Sequence, residues 1–252
     1  MTDQEGTRRP KYQRIADELR TAIQSGDFAP GDRLPGENDL MSTYEVARMT
    51  ARQALAVLRG EGLTEARKGA GVFVRAFRPL RRRGVPRLAG EGWGGGRSVW
   101  AAEIEDRALV VDQVTVAEEE AGPRIAQALN LAPHDTVCVR SRRFVLDDRP
   151  VLLSVSYLAA DLVRGTAITR PDTGPGGTYA RLAELGHRPV RFREELRCRM
   201  PTADETGRLT LPPGTPVVLI GRTAFTEPGR PVELNEMTLD ASSYILEYDF
   251  DA

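Results

Sequence analysis

Glu45-Val46-Ala47-Arg48-Met49-Thr50-Ala51-Arg52-Gln53-Ala54-Leu55-Ala56-Val57-Leu58 is a segment with two chemically different sides. Wound as an α-helix, it places Ala51, Ala54, Leu55 and Leu58 at i, i+3, i+4 and i+7, on one apolar face. Arg48, Met49, Arg52 and Gln53 fall away from that face, and Thr50 lies near its edge. A rod with a small, tight inner side and an Arg/Gln/Thr outer side suits the major groove of DNA. Arg can make paired bonds to guanine, Gln can do so to adenine, and Thr can bond or offer a methyl group. Alone, the pattern also fits an ordinary amphipathic surface helix, so the flanking sequence has to arbitrate.

Upstream, Tyr12, Ile15, Ala16, Leu19 and Ile23 recur at helical spacing, and Gly26 supplies a stop signal. Phe28 to Pro35 is a turn-rich connector. Pro35 cannot donate a backbone hydrogen bond, so a second helix is expected just after it. Gly36 is its N-cap, and Glu37 and Asp39 sit in the first turn, where the helix dipole favours negative charge. Leu40, Met41 and Tyr44 face inward. A brief turn at Glu45-Val46 leads to the segment quoted above, which Gly60 and Gly62 bring to a close. Two helices joined by so short a turn form a helix-turn-helix. Leu63 to Arg75 then reads as a hairpin with a basic, glycine-rich tip, which makes it a wing. Arg67 and Lys68 belong at that tip, and Gly69 lets the backbone approach a duplex. Gly69-Ala70-Gly71 lacks the third glycine and the following helix of a dinucleotide-binding fingerprint.

Charge is distributed unevenly. Over positions 8–83, 16 Lys+Arg stand against 9 Asp+Glu, a net of +7. The remainder carries 19 against 27, a net of −8, so the total is −1. A basic N-terminal part on an acidic remainder fits a polyanion-binding module joined to a domain of another kind. Cys138 and Cys198 lack metal-type spacing and read as two reduced thiols rather than a disulfide framework. His134 and His187 have no carboxylate companions at ligand spacing. Glu118-Glu119-Glu120 reads as a solvated helix entry. No metal, no cofactor and no catalytic constellation is expected, so the chain does not read as an enzyme. No signal peptide and no apolar run of membrane-spanning length is seen, and a cytoplasmic protein is expected.

Positions 11–75 resemble the winged helix-turn-helix domain of the GntR family of bacterial transcription regulators. The resemblance is carried by Tyr12, Ile15-Ala16, Leu19, Ile23 and Gly26, and by Pro30-Gly31-Asp32-Arg33-Leu34-Pro35, Glu37 and Leu40. It continues through Val46 to Leu55, Leu58, Glu61-Gly62-Leu63 and Gly69 to Val74. It implies that Arg48, Met49, Thr50, Arg52, Gln53 and Asn38 read or clamp the major groove, with Lys68 and Gly69 serving the wing. Many members carry Arg where this chain has Asn38 and Ser where it has Gly36, so the operator cannot be copied from relatives. Arg8 and Arg9 could touch phosphate.

From Ala76 to about Val99 the pattern dissolves. Arg81-Arg82-Arg83 and Gly92-Trp93-Gly94-Gly95-Gly96 have linker composition, the arginines reading as solvated or as a phosphate contact, and Trp93 and Trp100 could pin the linker. Beyond it, strands are expected at 108–118, 135–146, 150–158, 189–200, 217–226 and 231–239. Helices are expected at 123–129, 178–185 and 202–209. Strands paired by hairpins with helices between them give an α+β domain on an antiparallel sheet. The expected organisation is a DNA-binding domain at 8–76, a linker at 77–96 and a second domain at 97–252.

This second part is similar to the UTRA effector-binding domain of the HutC-type subfamily. The matching residues include Arg140-Ser141-Arg142-Arg143-Phe144, Arg149-Pro150-Val151, Ser156-Tyr157-Leu158, Gly177-Thr178-Tyr179 and Gly229-Arg230-Pro231-Val232-Glu233 through Tyr244. The resemblance implies a chorismate-lyase-like fold, a homodimer and a pocket for a small-molecule effector, anionic or sugar-like. Arg142 would grip an anionic group. Ser154, Ser156, Glu233 and Tyr244 would line the pocket, and Thr178 would cap its helix or donate to an anion. Phe144 and Ser154 replace residues common in sugar-phosphate-responsive members. A homodimeric, ligand-responsive repressor on a palindromic operator follows. A regulator with a vestigial pocket and a lyase-like enzyme are the alternatives.

Overall fold

The computed structural model describes residues 9–76, 80–84, 88, 108–227 and 229–250. Arg8, Trp93, Trp100 and the glycine run at 92–96 lie outside the described residues. The chain divides into two units, the first holding the described residues up to 76 together with 212–215, and the second those at 80–211 and 216–250.

In the first unit, α1 (Lys11–Ser25) ends where Gly26 turns left-handed at φ 89°, a conformation glycine adopts without steric cost. Helix α2 (Glu37–Tyr44) starts from Gly36, whose N–H donates to the Asp39 carboxylate at 2.8 Å. It ends at Glu45, itself left-handed at φ 49°, which turns the chain sharply into α3 (Arg48–Gly60). The third helix begins at Arg48, after the turn expected at Glu45-Val46, and Arg48, Met49 and Thr50 form its first turn. Its inner face is as the spacing demands: Ala51, Ala54 and Leu58 are fully buried and Leu55 nearly so. They pack on Ile15, Ala16 and Leu19 of α1 and Leu40 of α2, with Met41 and Tyr44 at the margin. Burying each such leucine stabilises by about 1.5–3 kcal/mol. Arg20 and Glu61 tie α1 to the end of α3 through bonds of 2.8 and 2.6 Å. The wing is β1 (Thr64–Arg67) paired antiparallel with β2 (Gly71–Val74), and residues 32–34 add backbone bonds to β2.

The second unit opens with β3 (Leu80–Arg83), a strand inside the expected linker. It is followed by β4 (Leu109–Glu120), α4 (Pro123–Leu129), β5 (Thr136–Leu146), β6 (Arg149–Ala159), α5 (Ala160–Val163), α6 (Gly177–Glu184), β7 (Arg191–Arg199), α7 (Ala203–Leu209), β8 (Val217–Phe225), β9 (Pro231–Asp240) and β10 (Tyr244–Glu247). Six strands form an antiparallel sheet in the order β4-β5-β6-β9-β8-β7, and β3 pairs parallel with β10. Asp147 and Asp148, at φ 46° and 62°, make the tight two-residue β5–β6 turn. Glu118-Glu119-Glu120 ends β4 instead of opening a helix; Glu118 meets Arg164 and Glu120 meets His134.

One face of the sheet carries α4 and α7, through Ile125 and Leu129 on Val137 and Leu234, and Leu209 on Leu153. The other face carries two apolar clusters. Tyr179 and Leu182 of α6 pack with Cys138, Leu158 and Ala224. Leu80, Tyr244 and Leu246 of the β3–β10 pair pack with Phe144, Ile220, Met237 and Leu239. Between these clusters the same face turns polar.

Candidate functional site

The outer face of α3 stands clear of the core. Met49 is 69% exposed, and the Arg48 and Arg52 side chains keep 61% and 58% of their surface. Gln53 is exposed and Thr50 half-buried at the edge. Two residues of α2 orient the arginines. Arg52 Nε donates to Glu37 Oε1 at 2.9 Å, and Arg48 Nη2 donates to Asn38 Oδ1 at 3.2 Å. Arg48 Nε also lies 3.8 Å from Glu37 Oε2. The Glu37 carboxylate holds the Arg52 guanidinium above its ordinary pKa. No side chain caps α3 at Ala47, and no acid occupies its first turn. The positive end of its dipole is thus open to a phosphate, although the Thr50 N–H already donates to the Ala47 carbonyl at 2.9 Å. Lys68 and Gly69 are exposed at the wing tip, with Gly69 at φ 75°. Arg67 is not free at that tip: it closes β1, stacks 4.3 Å over the Phe73 ring and pairs with Glu65 at 2.9 Å.

In the second unit, strand register builds a polar row. Arg140 faces Ser156, Ser156 faces Asn235, Asn235 faces Arg222 and Arg222 faces Glu194, one residue from each of β5, β6, β9, β8 and β7. Arg142, one step along β5, reaches into the row: its Nη2 donates to Ser156 Oγ at 2.7 Å and lies 3.4 Å from Ser154 Oγ. Ser154 Oγ in turn donates to Asn235 Oδ1 at 2.9 Å. Among the described residues no carboxylate lies within salt-bridge distance of Arg142, and its Nε has no hydrogen-bond partner. Burial pushes the Arg142 guanidinium below its ordinary pKa, with the nearby charge of Glu233 opposing. Arg140 is pushed down to about 10, first by burial and then by the like charge of Arg142. It is held by the carbonyls of Ile168, Arg170 and Pro171.

Glu233 lies on the same face, two residues from Asn235, 2% exposed and with Oε2 unbonded. Thr178 is buried in α6 with an unbonded hydroxyl, so it does not cap its helix; Gly176 holds the N-cap position. Tyr244 starts β10 and packs in the apolar cluster of Phe144 and Met237. Arg142, Ser154 and Ser156 are thus assembled at one place, with Glu233 near them. Asn235, Arg222 and Glu194 complete the row and were not singled out from the sequence. Their signal was available in part, since Glu233 and Asn235 are polar residues two apart, on one face of their strand.

Arg82 is the clearest departure from expectation. It is fully buried, not solvated, and its Nη2 and Nη1 donate to Glu194 Oε1 and Oε2 at 2.6 and 3.1 Å. Among the described residues no group of His, Cys, Asp and Glu could hold a metal ion, and no helix is long and apolar enough to cross a membrane.

Comparison with known proteins agrees with both halves of this geometry. Residues 11–74 match the family model for bacterial regulatory proteins of the gntR family, and residues 105–245 match the UTRA domain. An HTH-type transcriptional regulator of Streptomyces coelicolor is 32% identical over 96% of this chain and 93% of its own length. The HTH-type transcriptional repressor NagR of Bacillus subtilis is 24% identical over 89% and 88%. The crystal structure of a GntR-family transcriptional regulator superposes with a TM-score of 0.65 at 28% identity, covering 97% of this chain and 98% of the other. The chain belongs to the GntR family, as a DNA-binding transcriptional regulator whose second domain is an effector-binding UTRA domain on an antiparallel sheet.

Proposed function

We propose that the chain is a homodimeric repressor that reads a palindromic operator through α3 and its wing, and that an anionic or sugar-like small molecule at Arg142 alters that grip. The DNA half rests on one observation: Arg48 and Arg52 are exposed, oriented by Asn38 and Glu37, on a helix whose opposite side is wholly buried. Arg48, Met49, Thr50, Arg52 and Gln53 meet base edges, Asn38 steers Arg48, and Lys68 and Gly69 meet the backbone. The effector half is supported by Arg142, a largely enclosed cation whose partners are two serine hydroxyls and no carboxylate. Glu233 acts on this cation only through space, and a buried charge without a bonded counter-ion is costly; an anionic ligand supplies one. Ser154 and Ser156 would bond the ligand beside Arg142, with Glu233 acting on its charge, and Thr178 and Tyr244 are assigned to the same pocket on the resemblance alone. The repressor reading follows the name of the Bacillus subtilis relative. Exposed Val110, Val111, Leu196 and Met200 at or beside the outer strands suit a second copy.

The test is a mobility-shift titration on a duplex enriched from a random pool by the wild-type protein. Arg48→Ala is expected to cost about 1–3 kcal/mol of binding; unchanged affinity removes Arg48 from the site. Thermal melting against a panel of anionic metabolites tests the pocket, because a ligand bound to the folded state raises the melting temperature. No stabilising ligand would favour a regulator with a vestigial pocket.

A further inference from the structure

The arginine run at 81–83 is not used by the DNA face or by the effector contacts, yet its middle member is fully buried. Arg81 and Arg83 stay 57% and 63% exposed on Glu247, a surface arrangement that stabilises little. Arg82 alone reaches the polar row. Glu194 is where it arrives: Oε1 accepts from Arg82 Nη2 at 2.6 Å and from Arg222 Nε at 2.8 Å, and Oε2 accepts from the Tyr248 hydroxyl at 3.0 Å. One carboxylate therefore serves two enclosed guanidiniums. From there the row runs through Arg222, Asn235 and Ser154 to Arg142. Every strand between β3 and the effector residues contributes one polar side chain, and apolar clusters flank the row on both sides.

We infer that Arg82 is a positioning residue that ties occupancy of the Arg142 site to the DNA-binding unit. The inference rests on the effector reading above and adds its route. An acid bound at Arg142 competes for the Ser154 and Ser156 hydroxyls. Ser154 then releases Asn235 Oδ1, and the freed amide turns toward its cross-strand neighbour Arg222. Arg222 shares Glu194 with Arg82, so its hold on that carboxylate and the hold of Arg82 shift together. Arg82 sits on the strand that enters the second unit six positions after Ala76, the last described residue of the first. Loosening or tightening β3 changes how the helix-turn-helix is tethered.

A double-mutant cycle on DNA affinity tests the route without a known ligand. Ser154→Asp puts a fixed carboxylate where the ligand's acid would act, and Arg82→Gln cuts the far end. Wild type, both single variants and the double variant are titrated on the enriched duplex, with melting curves confirming that each is folded. Ser154→Asp is expected to change affinity by about fivefold or more when Arg82 is present. With Arg82→Gln the change should fall below about twofold, the scatter of independent sites. Equal changes in both backgrounds, or no change in either, overturn the route. If Arg82→Gln does not fold, Arg82→Lys takes its place under the same criteria, since a lysine keeps the charge but not the two-pronged contact. The effector reading fails separately, on melting curves of wild type that no anionic metabolite shifts. A metabolite that alters DNA affinity equally in wild type and Arg82→Gln would leave that reading intact and remove the route.

Discussion

Replacing Glu194 by glutamine should be among the most damaging isosteric changes in the second unit. The substitution preserves shape and one carbonyl oxygen but removes the negative charge that, alone among the described residues, pairs with Arg82 and Arg222, which are 0% and 1% exposed. Formal charge in the cluster rises from +1 (two arginines and one glutamate) to +2. Breaking a buried ion pair by deleting one partner costs about 3–5 kcal/mol. Counting hydrogen bonds gives a similar figure, because those to charged groups contribute about 1.5–3 kcal/mol each and at least two are weakened. A domain of this size loses about 2–4 °C per kcal/mol, so the expected fall in Tm is about 6–20 °C. Arg82→Met is the informative control. It leaves Arg222 and Glu194 as a neutral pair, and the lost bonds are partly offset by relief of like charge, for a cost of about 1–2 kcal/mol. Scanning calorimetry of the full chain reads both. A loss below about 1 kcal/mol for Glu194→Gln, or a larger loss for Arg82→Met, would refute the charge argument.

Three further outcomes follow from the geometry. Glu37→Gln frees Arg52 from its 2.9 Å partner and should reduce discrimination between the enriched duplex and a single-base variant by about 1 kcal/mol; an unchanged ratio in mobility shifts counts against Glu37 as an orienting group. Glu205 is lowered from 4.5 to about 2 by Arg199, with burial opposing and the Thr202 N–H assisting. A depressed carboxylate stabilises above its unfolded pKa and loses that contribution as pH falls through the folded value. The full shift corresponds to about 3 kcal/mol, and screening of the 40% exposed Arg199 side chain cuts this to about 1–2. Glu205→Gln should therefore melt lower near neutral pH, with the gap closing between pH 4.5 and 2; a gap independent of pH would refute the assignment. Burial raises the Cys138 thiol, whereas Cys198 is exposed, so a thiol reagent should label Cys198 in the native protein and both after denaturation. Rapid native labelling of Cys138 would contradict its burial.

The first unit was legible because its information is local. Helix spacing, Gly26 as a stop, Asp39 reaching back to Gly36 and a glycine-rich tip all act within a few residues, so periodicity and capping chemistry specify α1, α2, α3 and the wing. Alternation likewise marks the six long strands of the second unit. The turn at Glu45-Val46 was legible from its place between two periodic segments; that Glu45 makes it in the left-handed region was not, because a glutamate carries no signature of that conformation. Thr178 looked like a cap because caps are read from neighbours, but the burial of its hydroxyl depends on what packs over α6.

What only the tertiary structure decided is the fate of the arginines. Arg81-Arg82-Arg83 is one composition with two environments, and nothing local separates the buried middle one from its exposed neighbours. Its strand is four residues long and pairs with Tyr244–Glu247 at the other end of the chain. The polar row has the same character: each strand carries several polar residues, and only the register of five strands decides which of them stand side by side. Main-chain periodicity determines which residues share a face. Which charges meet on that face depends on pairing between distant segments, and the desolvation of buried charge makes those pairings consequential.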